Sequence, residues 1–357
     1  MSRGTAAVGL SGGVDSSVTA YLLKEQGWDV VGITMQNWHE SCGGGDQGRS
    51  SSIQKILADA RNVASYLGIE HYVLDTSEAF RKNVMDYFVD EYLHARTPNP
   101  CVICNRYVKW GEILKFADKI GADCFATGHY ARVERLGNGR YAVRNSVTAV
   151  KDQTYALYNL TQEQLSRTIM PMGDYTKEDV RQIASRAGIP VAEKKDSQEI
   201  CFIPDNDYAS FVRQNSPREI PEGNFVDRDG KILGRHRGII HYTVGQRKGL
   251  NLSMGRPVFV SALRAETNEV VIGEGEDVFS TVLKADHLNF MAVEDIREPY
   301  SCVAKIRYAH RGTPCTVVRT GEDELTCTFE EPVRAVTPGQ ALVLYAGEYV
   351  AGGGLIR

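Results

Sequence analysis

Val8-Gly9-Leu10-Ser11-Gly12-Gly13-Val14-Asp15-Ser16-Ser17 decides how the N-terminal half of the chain is read. It closes an apolar run, residues 6–10, and opens a helix-like run, residues 16–26. A strand, a tight glycine turn and a helix N-terminus make an anion site: successive N–H groups form a nest, and the helix dipole adds positive potential. Gly12 and Gly13 let backbone approach a phosphate with no Cβ in the way. Ser11, Ser16 and Ser17 offer hydroxyl donors. Asp15 is the odd member, because a carboxylate beside phosphates calls for a Mg2+ ion between them. No Lys follows the glycines, so this is not the G-x-x-x-x-G-K-[ST] loop. A glycine-rich turn with no ligand is the plain alternative.

Downstream, short apolar runs alternate with helical spacing. Residues 30–35, 72–74 and 124–127 read as strands. Val18, Tyr21, Leu22 and Leu23 read as one face of the first helix, which Gly27 stops. Ile53, Ile56, Leu57, Ala60, Val63, Ala64 and Leu67 recur at helical spacing, and Gly68 ends that helix. Between them, residues 37–52, with Gly43-Gly44-Gly45, read as a long mobile or ligand-ordered loop. Ser77 reads as the cap of one helix reaching about residue 94. Two prolines keep residues 96–105 from being helical throughout, and residues 108–120 return to helix. Such alternation predicts a mostly parallel sheet with its site at the strands' carboxyl ends. The opening loop, Met35 and Gly128-His129 all fall at such ends.

Beyond Tyr130 the pattern changes. Thr176-x-x-Asp179 reads as a capping box opening a helix to Ala187. From about residue 223, short strands and turns take over, with Asp229-Gly230 and Thr267-Asn268 as hairpin turns. Residues 283–289, 302–308, 315–319, 325–329 and 341–345 read as strands of a small barrel. A chain of 357 residues holds two or three domains, at about 100–200 residues each. The expected fold is α/β: a parallel-sheet domain over residues 1–205, a central β-rich domain over 206–280 and a C-terminal β-barrel over 281–357. No apolar stretch is long enough to span a membrane, and residues 1–5 lack a leader's apolar core, so a cytoplasmic protein is expected.

The net charge of −4 argues against a general nucleic-acid binder but leaves room for local basic patches. Residues 231–250 carry Lys231, Arg235, Arg237, Arg247 and Lys248, with His236 and His241, and no acid. Residues 300–321 carry Lys305, Arg307, Arg311 and Arg319, again with no acid. Both suit a phosphate backbone; a solvated strand face is the alternative. Of the eight cysteines, Cys124, Cys302, Cys315 and Cys327 read as small buried hydrophobes, and Cys42 as a bystander in the polar loop. Cys101 and Cys104 form a C-x-x-C pair, a weak signal alone. Cys104 lies near a predicted helix start with Arg106 and Lys109 close by, and Cys201 follows Lys194 and Lys195; such surroundings favour thiolates.

The opening loop resembles the SGG[VI]DS loop of ATP pyrophosphatases, an adenine nucleotide α-hydrolase-like fold that cleaves ATP between its α- and β-phosphates. Six further motifs, in order, resemble the bacterial tRNA-specific 2-thiouridylases. They are Asn99-Pro100 with Cys104-Asn105, Ala126-Thr127-Gly128-His129-Tyr130, Lys151-Asp152-Gln153, Asp196-Ser197 with Ile200-Cys201-Phe202-Ile203, Gly245-Gln246-Arg247-Lys248-Gly249-Leu250, and Thr337-Pro338-Gly339-Gln340. The resemblance implies conversion of the tRNA wobble uridine to 2-thiouridine. ATP and Mg2+ would be held by Gly9, Leu10, Ser11, Gly12, Gly13, Val14, Asp15 and Ser16, with main chain at Met35 and Gly128 on the nucleoside. Cys201 would carry a persulfide and Cys104 would complete the transfer, leaving a Cys104–Cys201 disulfide that a reductant reopens. Asn99 and Pro100 would line the base pocket, while His129, Lys151, Asp152, Gln153, Arg307, Tyr308 and Gln340 would meet tRNA. A cysteine desulfurase or relay protein would supply sulfur to a monomeric enzyme.

One position departs from the family. Many members carry Asp where this chain has Cys101, and a thiol, with an unperturbed pKa of about 8.5, is a far weaker acid. The change also puts three thiols, Cys101, Cys104 and Cys201, in one candidate pocket, so a [4Fe–4S] cluster on them is an alternative to the persulfide. Two other readings stay open. One is a lysidine- or amide-forming ligase with the same loop; the other is a non-catalytic RNA-binding protein with a relict loop.

Overall fold

The computed structural model describes residues 2–38, 47–194 and 200–357, with backbone alone for 47–52. Cys42, Gly43-Gly44-Gly45, Lys195 and the motif residues Asp196-Ser197 lie outside the described residues. The chain divides into two compact units: residues 1–84, 101–204 and 348–351 in one, and 85–100, 205–347 and 352–357 in the other.

The first unit is built on five parallel strands: β1 (Thr5–Gly9), β2 (Asp29–Gln36), β3 (Glu70–Asp75), β4 (Cys124–Ala126) and a short strand, Thr168–Ile169. Their order is β3-β2-β1-β4 followed by Thr168–Ile169. β2 and β3 lie to one side of β1, and β4 to the other. The order in which strands are added therefore reverses between β1 and β4, where open α/β sheets leave a crevice beyond the strands' carboxyl ends. Helix α1 (Val14–Glu25) buries Val14, Val18, Ala20 and Leu23, and its packing partners include Val180 and Ala184 of the helix Lys177–Arg186. That second helix starts at the predicted capping box, with Thr176 and Asp179 bonded reciprocally.

Three local readings change. Helix α2 (Gln47–Leu67) begins ahead of Ile53, inside the stretch read as loop. The single helix expected after Ser77 is composite: Ser77–Phe80, a π-helical stretch Arg81–Asp86, then Tyr87–Leu93. Thr76 is its N-cap residue, and Ser77 instead bonds Asp75 through both its N–H and its hydroxyl. Cys104 opens another π-helical turn, Cys104–Lys109, which runs into the helix Trp110–Lys119. π-Turns are uncommon and recur at functional sites.

In chain order, the next strands are β5 (Ala131–Arg135) and β6 (Tyr141–Asn145), a hairpin of the first unit, with Tyr349 paired to Arg144. The strand Thr168–Ile169 follows as β7. The second unit holds two sheets. One has the order β10-β11-β8-β9, from β8 (Gly223–Val226), β9 (Ile232–His236), β10 (Phe259–Arg264) and β11 (Glu269–Gly273). Gly230 and Asn268 take positive φ, 84° and 51°, in the two predicted hairpin turns. The other sheet is a closed barrel of β12 (Phe279–Phe290), β13 (Tyr300–Lys305), β14 (Thr313–Gly321), β15 (Glu324–Arg334), β16 (Ala341–Ala346) and β17 (Tyr349–Ile356), with β12 paired to both β15 and β17. The closing strand is one that propensity hides, because Gly352-Gly353-Gly354 reads as a turn. A Cβ at Gly352 would sit 2.5 Å from the Asn289 carbonyl oxygen, and one at Gly354 equally close, 2.5 Å, to that of Asp286. Glycine is what lets β12 approach.

Candidate active site

The loop after β1 is shaped by its own short side chains. Gly12 has φ 64°, and a Cβ there would lie 2.8 Å from the Ile56 carbonyl oxygen and 2.9 Å from the Asp59 Cβ. Both the conformation and the close passage of α2 therefore require glycine. The hydroxyls of Ser16 and Ser17 donate to the Gly13 carbonyl at 3.1 and 2.8 Å, and the Ser11 N–H donates to the Ser16 Oγ at 3.2 Å. Ser17 is fully buried, so its hydroxyl tightens the turn and does not face a ligand. At Gly128, just beyond β4, a Cβ would lie 2.8 Å from the Ser16 nitrogen. Gly128 thus lets the two walls of the crevice touch.

Two lysines clamp this loop. The Lys177 ammonium bonds both carboxylate oxygens of Asp15, at 2.7 and 2.9 Å, and the buried Tyr130 hydroxyl donates to Oδ1 at 2.8 Å. Lys194 bonds the Gly12 carbonyl at 2.7 Å and the Asp59 carboxylate at 2.6 Å. Sequence reading missed Lys177 altogether and assigned Lys194 to Cys201, whereas its ammonium is bonded to Gly12 and Asp59. Lys177 stands at the first helical position after the capping box, a place scored for helix initiation alone, and its partner Asp15 lies 162 residues away.

The crevice is a cavity of about 300 Å3. Its lining includes Ser11, Asp15 and Ser16 from the loop, Met35 from β2, Gly128 and His129 beyond β4, Gln153, Lys109 and Cys201. Ile33, Ile53, Ile56, Ile113, Phe125 and Trp38 supply apolar wall. Loop and thiol, far apart in sequence, face one space. His129 hydrogen-bonds the Thr127 hydroxyl through Nδ1 at 2.8 Å and packs against Trp110 with ring centroids 5.6 Å apart. Burial, aided by the Lys109 charge, holds its pKa well below the ordinary value, so the ring is neutral.

The thiols depart from the expectation of ready thiolates. Cys104 is buried, whereas Cys101 and Cys201 reach solvent. Burial pushes the Cys104 pKa up to about 11, against the pull of Lys109. Crowding by surrounding protein pushes Cys201 up to about 12, and the nearby Cys104 and Cys101 thiols add to the rise. Desolvation outweighs a single cation because it acts on the whole thiolate charge. Arg106, expected to help, turns away to the carbonyl and side-chain oxygens of Asn159. Next to Cys104, the buried Asn105 gives its Nδ2 to the Ala156 carbonyl at 2.9 Å, and its Oδ1 has no hydrogen-bond partner among the described residues. The three thiols influence one another electrostatically, yet no three Cys, His, Asp or Glu side chains among the described residues are placed to hold a metal ion.

Other predicted contact residues have internal work. Gln153 accepts the Tyr130 N–H at 2.9 Å. Asp152 accepts the N–H groups of Ser146 and Thr154 at 2.9 and 3.1 Å, holding the turn that presents Lys151. Pro100 opens the short helix Pro100–Ile103, and Asn99 precedes it half-buried. In the second unit, Gln340 donates to the Thr97 carbonyl at 2.8 Å and Arg307 to the Ala335 carbonyl at 3.4 Å, while Tyr308 is 52 % exposed. His236 is no part of a basic patch. It is buried, with its ring bonded to the Asn268 carbonyl and accepting the Gly238 N–H. Arg247, Lys248 and Arg311 are exposed, without a salt-bridge partner among the described residues.

Residues 4–205 match the family described as tRNA methyl transferase HUP domain, 209–274 its PRC-barrel domain, and 280–356 the aminomethyltransferase β-barrel domain. The tRNA-specific 2-thiouridylase MnmA of Lachnoclostridium phytofermentans is 57 % identical over 355 residues, covering 98 % of each chain. The chain belongs to the tRNA-specific 2-thiouridylase family. It is 50 % identical to the Clostridioides difficile tRNA-specific 2-thiouridylase over 351 residues, with 98 % of this chain and 97 % of that one covered. A solved structure titled U34-tRNA thiolase NcsA from Methanococcus maripaludis with its [4Fe–4S] cluster is 17 % identical. It covers 61 % of this chain and 69 % of its own, at a TM-score of 0.36, a likeness too slight to add to the assignment. As a 2-thiouridylase family member with a HUP domain, the chain binds ATP. No described helix is long and apolar enough to cross a membrane.

Proposed function

We propose that this chain thiolates C2 of the tRNA wobble uridine in the cytoplasm, activating the C2 oxygen with ATP at the Ser11–Ser16 loop and exchanging it for sulfur carried by Cys201. The observation that carries this reading is the shared cavity: Ser11, Asp15 and Ser16 line it together with Cys201. Activation and sulfur delivery then act on one atom without release of the adenylate. Adenylation joins AMP to the C2 oxygen and releases pyrophosphate. The terminal persulfide sulfur of Cys201 attacks C2 and displaces AMP, and Cys104 then attacks the inner Cys201 sulfur. The base keeps sulfur, a Cys104–Cys201 disulfide forms, and a reductant returns both thiols. Release of sulfide by Cys104 before attack on C2 gives the same balance.

In this reading the α1 N-terminus and the loop N–H groups bind phosphate, and the apolar wall of Ile33, Ile56 and Phe125 suits an adenine face. Asp15, the carboxylate among the cavity-lining residues, together with the Ser11 hydroxyl, suits a Mg2+ that also takes phosphate oxygens. Mg2+ there would neutralise phosphate charge. Lys177 and Tyr130 hold Asp15 in place beforehand. Residues 1–205 would carry activation and sulfur transfer. Residues 206–280 and 281–357 would grip tRNA through exposed cations such as Arg247, Lys248 and Arg311. Asn99, Pro100, His129, Lys151, Arg307 and Tyr308 would contact RNA, and Gln340 would shape the surface through Thr97. A monomer and a sulfur-donor protein complete the scheme.

The test incubates the protein with unmodified tRNA, ATP, Mg2+, a persulfide donor and a reductant, and follows the nucleosides by mass spectrometry. Formation of 2-thiouridine that requires ATP and Cys201 is expected. Pyrophosphate release without any 2-thiouridine would overturn the reading in favour of a different ligase.

A further inference from the structure

Among the cysteines outside the proposed chemistry, three lie on neighbouring barrel strands: Cys302 on β13, Cys315 on β14 and Cys327 on β15. The buried hydrophobe reading holds for Cys315 and Cys327, at 2 % and 0 % exposure, but Cys302 is partly exposed. Strand alternation turns all three to the barrel interior: Cys302 shares a face with buried Ala304, Cys315 with Val317, and Cys327 with Leu325 and Phe329. Cys302 and Cys315 are direct cross-strand partners, and their sulfurs lie 3.6 Å apart. Cys327 faces Val317, which puts it diagonal to Cys315 on the same face, and the Cys315 and Cys327 side chains are also hydrogen-bonded.

We propose that Cys302 and Cys315 form a peroxide-sensitive thiol pair that closes into a cross-strand disulfide in the C-terminal barrel. Directly opposed residues of an antiparallel pair bring their Cβ atoms to about 4.5–5.5 Å, near the separation that a disulfide spans after a small rotation. Cys302 is where an oxidant enters, since it alone of the three reaches solvent. Peroxide entering past Cys302 oxidises the Cys315 thiolate to a sulfenic acid, itself being reduced to hydroxide. Cys302 then gives up its proton and attacks the Cys315 sulfur, expelling a second hydroxide. Two thiols lose two electrons and two protons, and one peroxide becomes two waters. Hydrogen bonds from Cys302 and Cys327 favour the thiolate on Cys315, the form that reacts with peroxide. The bond would staple the hairpin whose loop carries Arg307, Tyr308 and Arg311.

The full-length protein is reduced, freed of reductant, treated with hydrogen peroxide, alkylated after denaturation and mapped by peptide mass spectrometry. Cys302 and Cys315 should leave the alkylated pool together and appear joined in one linked species that a dithiol reductant reverses, while Cys327 stays alkylated. In Cys302→Ser the link should vanish and Cys315 should again be alkylated. Full alkylation of Cys302 and Cys315 in wild type after Cys201 has been oxidised would overturn the pair, and so would a link between Cys315 and Cys327 alone. The mapping reads sulfur bonding in the barrel and is independent of tRNA thiolation.

Discussion

The glycine loop and the thiols lie in the same unit, and Cys201 faces the loop's cavity, yet they are made in opposite ways. The loop is local: the Gly13 carbonyl is held by two serine hydroxyls within four residues, and Gly12 supplies the left-handed turn. The thiols are non-local: Cys104 and Cys201 come from segments about a hundred residues apart, and their acidity follows from the surrounding protein more than from sequence neighbours. Short-range hydrogen bonds can be read from a decapeptide. Desolvation cannot, because it sums over everything that displaces water.

Variants can break this contrast, starting with the largest effect. Cys201→Ser should bring 2-thiouridine formation down to background while pyrophosphate release from ATP with tRNA persists. Joint loss of both would mean that the thiol and the loop are not separable. Gly12→Ala tests the local half: a Cβ 2.8 Å from the Ile56 carbonyl oxygen at φ 64° should lower stability by about 1–3 kcal/mol, read from the urea midpoint. An unchanged midpoint would show that α2 can shift away.

Lys177→Met sharpens the point where the local loop meets a distant partner. Its ion pair with Asp15 is only 14 % and 29 % exposed at the two side chains. Loss should reduce kcat/KM for ATP by about tenfold, on the order of 1.4 kcal/mol. Lys177→Arg should restore part of it, and equal activity in all three would remove Lys177 from the site. The thiols offer a pH readout. A pKa raised to about 11 leaves Cys104 protonated near neutrality, so its alkylation rate should still be climbing above the ordinary value of 9.0. Removing the cation in Lys109→Ala should raise the pKa further and slow alkylation a few-fold at fixed pH; a faster rate would reverse the sign assigned to Lys109. Smallest of all, Arg311→Ala should reduce the salt slope of tRNA binding by about one while leaving the thiolation rate of saturated enzyme unchanged.

Much of the fold was legible before any coordinates. The parallel-strand alternation, the Thr176–Asp179 capping box and the hairpins at Gly230 and Asn268 follow from periodicity and turn chemistry. The misses have one cause each. The closing strand β17 contradicts propensity because glycine is needed where β12 approaches. The π-turns at Arg81–Asp86 and Cys104–Lys109 have the same apolar period as ordinary helix. His236 looked cationic by its neighbours but is a core residue by its partners.

By itself, the sequence determined an α/β chain with a glycine-rich strand-to-helix loop and the motif set of the 2-thiouridylases, because strand and helix periods, glycine turns and caps are encoded within a few residues. Only the tertiary structure decided that Asp15 is held by Lys177 and Tyr130, that Cys201 shares the loop's cavity, that Cys104 is a buried, weakly acidic thiol, and that Cys302 meets Cys315. Each depends on contacts between distant segments and on the water those contacts exclude, which no local pattern records.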